Sequence, residues 1–304
     1  MTAGRRVLIS VVVALIALLA PATPAFAHAA LLGSTPAPGS VIGSSPAEIT
    51  VTFSERITPV AGRVQVLAPD GERISGVPTV RGAVLRIPVR TASRPLGTYL
   101  VSYRVISADG HPVGGGLTFS VGAPSAQPPA IVGAGGVHRS VAVAGAAARW
   151  LGYAGLALAV GPALFLALLW PRRASRRGPT RLAYAGIGLT AAATLAQIWL
   201  QVPAATGDPA WIAPPAALAD VLGSGYGITL TARLAVLALV AGMLPPVLRG
   251  RPGRVRAAVL LALAVAGLST WPLTGHAVAS PLPPATVAAD VVHLAAMAVW
   301  LGGL

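Results

Sequence analysis

The sequence has 304 residues and contains neither cysteine nor lysine, and only 10% of its residues are charged. Without cysteine there are no disulfides and no thiolate metal sites. Any bound metal must therefore use imidazole, carboxylate, amine or thioether ligands. Soluble domains carry about 25% charged residues, so the scarcity of charge and the 55% of hydrophobic residues indicate a membrane protein. The length suggests about two domains.

All 22 basic residues are arginine, and the formal net charge is +14. A basic balance raises the possibility of nucleic-acid binding. However, nine of the arginines lie in two short segments between apolar runs, at 171–181 and 249–256. That distribution is the topology signal of a membrane protein. We therefore predict that the chain lies in a lipid bilayer and does not bind nucleic acid.

Residues 1–27 have the pattern of a secretory signal peptide. Arg5 and Arg6 form the positive region, and the apolar stretch from Val7 to Ala20 is short for a spanning helix. Ala25-Phe26-Ala27 is a cleavage motif that would leave His28 as the first residue of the mature protein. The alternative is an uncleaved anchor helix.

Residues 28–122 predict an all-β domain, because short apolar or alternating runs are separated by turns rich in proline and glycine. The spacing favours a small two-sheet sandwich. Residues 123–140 predict a linker. The predicted strands are Glu48–Phe53, Arg63–Leu67, Ala83–Val89, Thr98–Ile106 and Leu117–Val121.

Residues 141–304 predict a helical membrane domain with about five spans. Because arginine-rich loops stay in the cytoplasm, the β domain should lie on the extracytoplasmic side of the cytoplasmic membrane. The last span runs to Leu304, and we expect the chain to be a fragment with further spans beyond it. The predicted spans are Trp150–Trp170, Leu182–Leu200, Tyr226–Leu244, Val255–Leu273 and Ala285–Leu304.

Asp109 and His111 follow the fourth predicted strand, two residues apart, and therefore face the same side of an extended chain. Cleavage after Ala27 would give His28 a free amine beside its imidazole. Amine, two imidazoles and a carboxylate suit the tetragonal geometry of Cu(II), although zinc and nickel remain compatible. The alternative is a frayed terminus at His28 and an ordinary turn at Asp109-Gly110.

The β domain resembles the CopC family of periplasmic copper-binding proteins. The resemblance implies an immunoglobulin-like β sandwich, Cu(II) ligands at His28, Asp109 and His111, and Glu55 as a residue that supports them. A methionine-rich Cu(I) site of some members is absent, since residues 28–122 contain no methionine. The matching motifs are His28–Pro36, Pro38-Gly39-Ser40, Val51–Glu55, Gly97-Thr98-Tyr99 and Val105–Val113.

Asp290, His293 and Met297 fall on one face of the last predicted span. Ionisable groups within a span often mark an ion path, and the thioether favours Cu(I). His276, in the preceding loop, could pass an ion to this face. The alternatives are an interfacial Asp290, a helix–helix contact of His293 and a packing role for Met297. Arg233 lies within the third span, and we interpret it as a side chain that snorkels to the interface or as a helix–helix partner of Asp220 or Asp290.

The membrane half is similar to the CopD family of copper-transport membrane proteins. Members of that family have about eight spans, of which the chain would contain the first five. The matching motifs are Arg149–Tyr153, Gly275-His276-Ala277, Asp290–His293 and Trp300–Leu304.

The resemblances imply an external Cu(II)-binding domain fused to a copper permease that imports the ion, and a role in copper homeostasis or resistance. The sequence contains no nucleophile–base pair and no nucleotide loop, so we do not predict an enzyme. One alternative is a redox protein that uses copper, or haem ligated by the two membrane histidines. Another is a copper sensor or scaffold that does not transport. Other copper-handling proteins are possible partners.

Overall fold

The structure, a computed structural model, describes residues 29–127, 137–169, 171, 174–249, 253–280 and 282–303. The predicted signal peptide, His28 and part of the predicted linker lie outside these residues. The described strands are β1 (Leu31–Thr35), β2 (Val41–Ile42), β3 (Glu48–Phe53), β4 (Ile57–Pro59), β5 (Gln65–Leu67), β6 (Thr79–Arg81), β7 (Val84–Pro88), β8 (Gly97–Ser107) and β9 (Pro112–Val121).

These strands form two facing sheets, which confirms the predicted β sandwich. One sheet has the order β1-β3-β7-β6, and the other has the order β2-β9-β8-β4 with β5 also paired to β8. Inward-facing side chains of both sheets form one hydrophobic core. Within it the ring of Phe53 meets Tyr103 edge to face at 5.3 Å, and Tyr99 stacks on Phe119 at 5.0 Å.

Each predicted strand contains or overlaps an observed one, whereas β1, β2, β4 and β6 were not predicted. β9 begins five residues earlier than predicted, because the run Gly114–Gly116 hides its alternation. This run pairs with β8 from Ser102 to Arg104. A side chain at Gly115 would collide with the ring of Tyr103, so glycine is required by packing here and does not mark a loop.

The C-terminal half is helical and confirms five candidate spans. The described helices are α1 (Arg139–Leu168), α2 (Arg177–Thr206), α3 (Pro215–Gly223), α4 (Gly225–Met243), α5 (Pro245–Leu248), α6 (Arg254–Ser269) and α7 (Pro283–Gly302). Two single turns of 3₁₀ helix, Pro272–Thr274 and His276–Ala279, connect α6 to α7. Among the described residues, α1, α2, α4, α6 with its following turn, and α7 are long and apolar enough to cross a membrane.

Small residues allow the helices of the bundle to approach closely, as is common in membranes. Gly155 on α1 lies against Thr190 and Gly186 on α2, and Gly161 on α1 lies against Gly302 on α7. A Cβ atom at Gly155 would come within 2.7 Å of the Thr190 backbone nitrogen. The packing therefore brings α1 against both α2 and α7.

Arg233 on α4 is a helix–helix contact, but its predicted acidic partner is wrong. Its Nε donates to Thr270 Oγ1 at 2.8 Å, and its Nη2 donates to the Thr270 carbonyl at 2.9 Å. The guanidinium carbon also lies 3.8 Å from the ring centre of Trp271. A carbonyl, a hydroxyl and an aromatic face thus satisfy the buried cation and join α4 to the chain after α6.

The β domain packs on the end of the bundle that is opposite to the arginine-rich loops. Arg104 on β8, only 5% exposed, donates from Nη2 to the carbonyl of Ala204 in the last turn of α2 at 2.9 Å. A second, more exposed contact joins Arg63 to Asp208 at 3.5 Å. The contact with Ala204 explains why the charged side chain of Arg104 is buried.

Candidate metal centre

The hairpin loop between β8 and β9 builds the centre of the site. The Gly110 backbone N–H donates to the Ser107 carbonyl at 3.0 Å, and the Ser107 N–H donates to the His111 carbonyl at 2.9 Å. Gly110 adopts a φ of 84°, a conformation that favours glycine. The tight turn places the side chains of Asp109 and His111 together at the end of the sandwich.

The Asp109 carboxylate is fixed before any ion binds. Its side chain is fully buried, and its Oδ1 accepts hydrogen bonds from the Ser107 hydroxyl and from the His111 backbone N–H. Burial opposes ionisation, but the contacts from His111 and Ser107 outweigh it and hold the pKa of Asp109 well below its ordinary value. The carboxylate is therefore charged and oriented, as an oxygen ligand for a cation must be.

Two imidazoles converge on the other oxygen of Asp109. Nδ1 of His111 lies 3.1 Å from Oδ2, and Nδ1 of His276 lies 3.0 Å from the same atom. The two rings stack with centres 5.3 Å apart and planes inclined by 13°. One potential ligand atom from each residue lies within 4.8 Å of the others, and across the described residues this is the one group of three histidines and acids with that property.

Glu55 lies beside this centre, where the sequence resemblance places it. Both of its carboxylate oxygens are shielded from solvent and have no hydrogen-bond partner among the described residues. Burial, and secondarily the charge of Asp109, raises the pKa of Glu55 to about 7. A nearby cation would therefore favour its ionised form, and Glu55 is not itself in the group of converging ligand atoms.

A cavity of about 1370 Å³ is lined by both the hairpin and the helix ends. Its lining includes Glu55 and Asp109 from the β domain, together with Gln201, Asp220 and Tyr226 from the membrane domain. Asp109 of the centre therefore borders a cavity that lies at the junction of the two domains.

The predicted membrane residues are not gathered in the same way. Asp290 and His293 are exposed on α7, and Met297 packs in a hydrophobic cluster with Leu156 and Leu294. Among the described residues, no further histidine or acid completes a group of three around Asp290 and His293. His276 instead lies against Asp109 of the β domain. It is therefore not paired with His293, as the alternative of a haem site in the membrane requires.

Sequence reasoning placed His276 near the membrane path and missed its contact with Asp109. The two residues are separated by 167 positions, and no local pattern links them. His28 lies outside the described residues, so its proposed role stays a prediction. His138, the remaining histidine, caps the start of α1, where its Nδ1 accepts from the Ser140 N–H at 3.2 Å.

The comparisons with known proteins divide the chain at the same place as the fold. Residues 31–122 match the family described as CopC domain. Residues 140–281 match the family described as Copper resistance protein D-like, N-terminal domain. The two matches cover the sandwich and most of the helical bundle.

Curated relatives match either the whole chain or the β domain alone. The Copper transport protein CutJ of Bacillus subtilis is 25% identical over 302 residues, which cover 92% of this chain and 53% of that protein. The chain thus spans about half the length of this relative. Copper resistance protein C of Pseudomonas syringae is 38% identical over 103 residues, which cover 31% of this chain and 81% of that protein.

A solved structure also matches the β domain. CopC from Methylosinus trichosporium OB3b is 22% identical and covers 34% of this chain and 100% of its own, with a TM-score of 0.29. The family matches and the 38% identity to Copper resistance protein C carry the assignment. The chain belongs to the CopC family through its β domain, which is fused to a Copper resistance protein D-like multi-pass membrane domain.

Proposed function

We propose that the protein binds Cu(II) outside the cytoplasmic membrane and delivers copper for transport across it. The observation that carries this proposal is the buried Asp109 carboxyl group with His111 beside it, next to a cavity that residues of both domains line. The names of the relatives, a copper transport protein and a copper resistance protein, support copper as the cargo.

The proposed ligands in the β domain are the amine and imidazole of His28, the carboxylate of Asp109 and the imidazole of His111. This set of nitrogen and oxygen ligands suits the tetragonal coordination of Cu(II). At a given site, Cu(II) also binds more tightly than the other divalent first-row metals. Glu55 supports the site by placing a second negative charge next to the bound cation. The absence of methionine from residues 28–122 argues against a thioether Cu(I) site in this domain.

The orientation in the membrane follows from the arginine loops. Of these arginines, the described Arg176, Arg177 and Arg181 lie at the bundle end opposite to the β domain, as do Arg249 and Arg254. Arginine-rich loops favour the cytoplasmic side, which assigns the β domain to the outside. We assign the direction of transport as import, because the capture domain then faces the external supply.

Within the membrane, the proposed path continues along the face of α7 that carries Asp290, His293 and Met297. Imidazole binds either oxidation state of copper, the carboxylate suits Cu(II), and the thioether favours Cu(I). Exposed ionisable groups on a spanning helix are costly in lipid, so a functional role offsets the cost of placing them there.

Titration of the mature protein with Cu(II) tests the capture site, with electron paramagnetic resonance (EPR) as the readout. The protein must begin at His28, and two variants are compared with it: one with an added N-terminal methionine and one with His111→Ala. We expect weaker binding and an altered spectrum in both. Tight binding with an unchanged spectrum in both variants would refute the proposed ligand set.

A further inference from the structure

His276 occupies an unusual position for a residue of the membrane domain. It begins the 3₁₀ turn His276–Ala279 between α6 and α7, and its side chain is 56% exposed. Its Nδ1 nevertheless lies 3.0 Å from the buried Oδ2 of Asp109 in the other domain. Its ring is also stacked nearly parallel to that of His111.

The distances between the donor atoms match those of ligands on one ion. At a metal–ligand distance of about 2.0–2.1 Å, two ligands at a right angle are separated by about 2.9 Å. The two distances from Asp109 Oδ2, 3.0 Å to His276 and 3.1 Å to His111, are close to this value. An ion beside Oδ2 can therefore reach both Nδ1 atoms with small side-chain adjustments.

Contacts that need no metal already hold the two domains in this arrangement. Gln201 Nε2 donates to the Gly110 carbonyl at 2.6 Å, and the Tyr226 ring lies where a side chain at Gly110 would project. Arg104 adds its hydrogen bond to the carbonyl of Ala204. Because these contacts are next to the hairpin, His276 is held at the site in the metal-free protein and pays little entropy to become a ligand.

We infer that His276 is a copper ligand supplied by the membrane domain, so that one ion bound to Asp109 and His111 also joins the two domains. This inference rests on the proposed function, since it assumes that the β domain binds copper. The shared ligand gives the ion a position between capture and transport: it is bound to the membrane domain before it leaves the β domain. Copper loading then also strengthens the contact between the domains.

The test uses the full mature chain loaded with one equivalent of Cu(II). Pulsed EPR counts the imidazoles that coordinate the ion, and a competition titration gives the dissociation constant. We expect His276→Ala to bind through one imidazole fewer than the unmodified protein. Loss of residues that merely support metal ligands costs about 10–100-fold in affinity, so losing a ligand should weaken binding by at least about tenfold.

His138→Ala is the matched control, because His138 is an exposed histidine of the same domain that lies in the α1 cap. It should leave the imidazole count and the affinity unchanged. An unchanged count in His276→Ala would overturn the inference while leaving the proposed function intact. Failure of the unmodified protein to bind Cu(II) would overturn both.

His276→Ala could also weaken binding indirectly, so a second variant is designed to produce a new signal when position 276 reaches the ion. H276C introduces the chain's only thiol, and Co(II) is the probe because it forms thiolate complexes with strong near-ultraviolet absorption. We expect this absorption in H276C but not in a H138C control. Co(II) binding in H276C without thiolate absorption would show that position 276 does not reach the ion.

Discussion

The hairpin centre and the face of α7 use similar residues, yet they differ in how those residues are held. In the hairpin, backbone hydrogen bonds and the Ser107 hydroxyl fix Asp109 in a fully buried position beside two imidazoles. On α7, Asp290 and His293 share a helical face but remain exposed. Ligand spacing along one element is therefore not sufficient, because a preformed metal site also needs a second element that supplies converging atoms.

This contrast suggests different tasks for the two regions. A rigid group of converging ligands favours tight capture, because little entropy is lost when the ion binds. A row of separated ligands on a helix favours weak binding, which an ion that must move on requires.

Asp109→Asn should remove most of the copper affinity of the hairpin centre. The amide has the same shape but no charge, and both imidazoles converge on the Asp109 carboxylate. We expect affinity to fall by at least about 100-fold, the upper range for residues that only support a metal site, in a Cu(II) competition titration. Asp208→Asn, in an exposed ion pair, is the control. Binding within about twofold of the unmodified protein would contradict the site.

His293→Ala should separate capture from transport. We expect Cu(II) binding by the purified protein to stay unchanged, because His293 is not in the hairpin group. Copper uptake by cells that express the protein should fall to the level of cells without it. Val292→Ala, on the same exposed part of α7, should leave uptake intact. Normal uptake in His293→Ala would exclude the α7 face from the path.

Arg104→Met should loosen the β domain from the bundle. The change removes a charged hydrogen bond to the Ala204 carbonyl but keeps most of the side-chain volume. Hydrogen bonds to charged groups contribute about 1.5–3 kcal/mol, so amide exchange in the last turn of α2 should become faster. Arg63→Met removes an exposed pair that also links the domains. It should cost at most about 1 kcal/mol, and equal effects would contradict the assigned roles.

Glu55→Gln should have the smallest effect, visible only through its pH dependence. Because burial raises the pKa of Glu55 to about 7, its protonated form stabilises the fold below about pH 4.5, and this contribution is lost as pH rises through about 7. The glutamine variant has no carboxyl group that ionises, so it does not lose this stability. Its melting temperature relative to that of the unmodified protein should therefore be higher at pH 8 than at pH 5.

The Glu55 residue as a whole is only half-buried, so the gain should not exceed about 1 kcal/mol, or about 2–4 °C. The measurement is thermal unfolding of the metal-free protein at both pH values. An equal difference between the two proteins at both pH values would show that the buried carboxyl group is not the cause.

Local patterns in the sequence were sufficient for most of the fold. Alternation identified β3, β7 and β8, and apolar length identified the five spans. The glycine run of β9 and the short strands such as β2 and β4 were missed, because their conformation is set by partners distant in sequence. The acceptor of Arg233 was missed for the same reason: a backbone carbonyl and a hydroxyl at Thr270 leave no charge pattern to detect.

For the site, the sequence placed Asp109 and His111 together through their spacing at the end of a strand. It could not place His276, since the contact depends on how the β domain docks on the bundle. That docking arises from Gln201, Tyr226 and Arg104, none of which carries a motif.

A copper-edge anomalous diffraction experiment on crystals of the copper-loaded mature protein tests the central claim most directly. The account predicts one strong anomalous peak about 2.0–2.5 Å from Asp109 Oδ2 and His111 Nδ1. An anomalous peak elsewhere, with no peak beside Asp109 and His111, would contradict this claim.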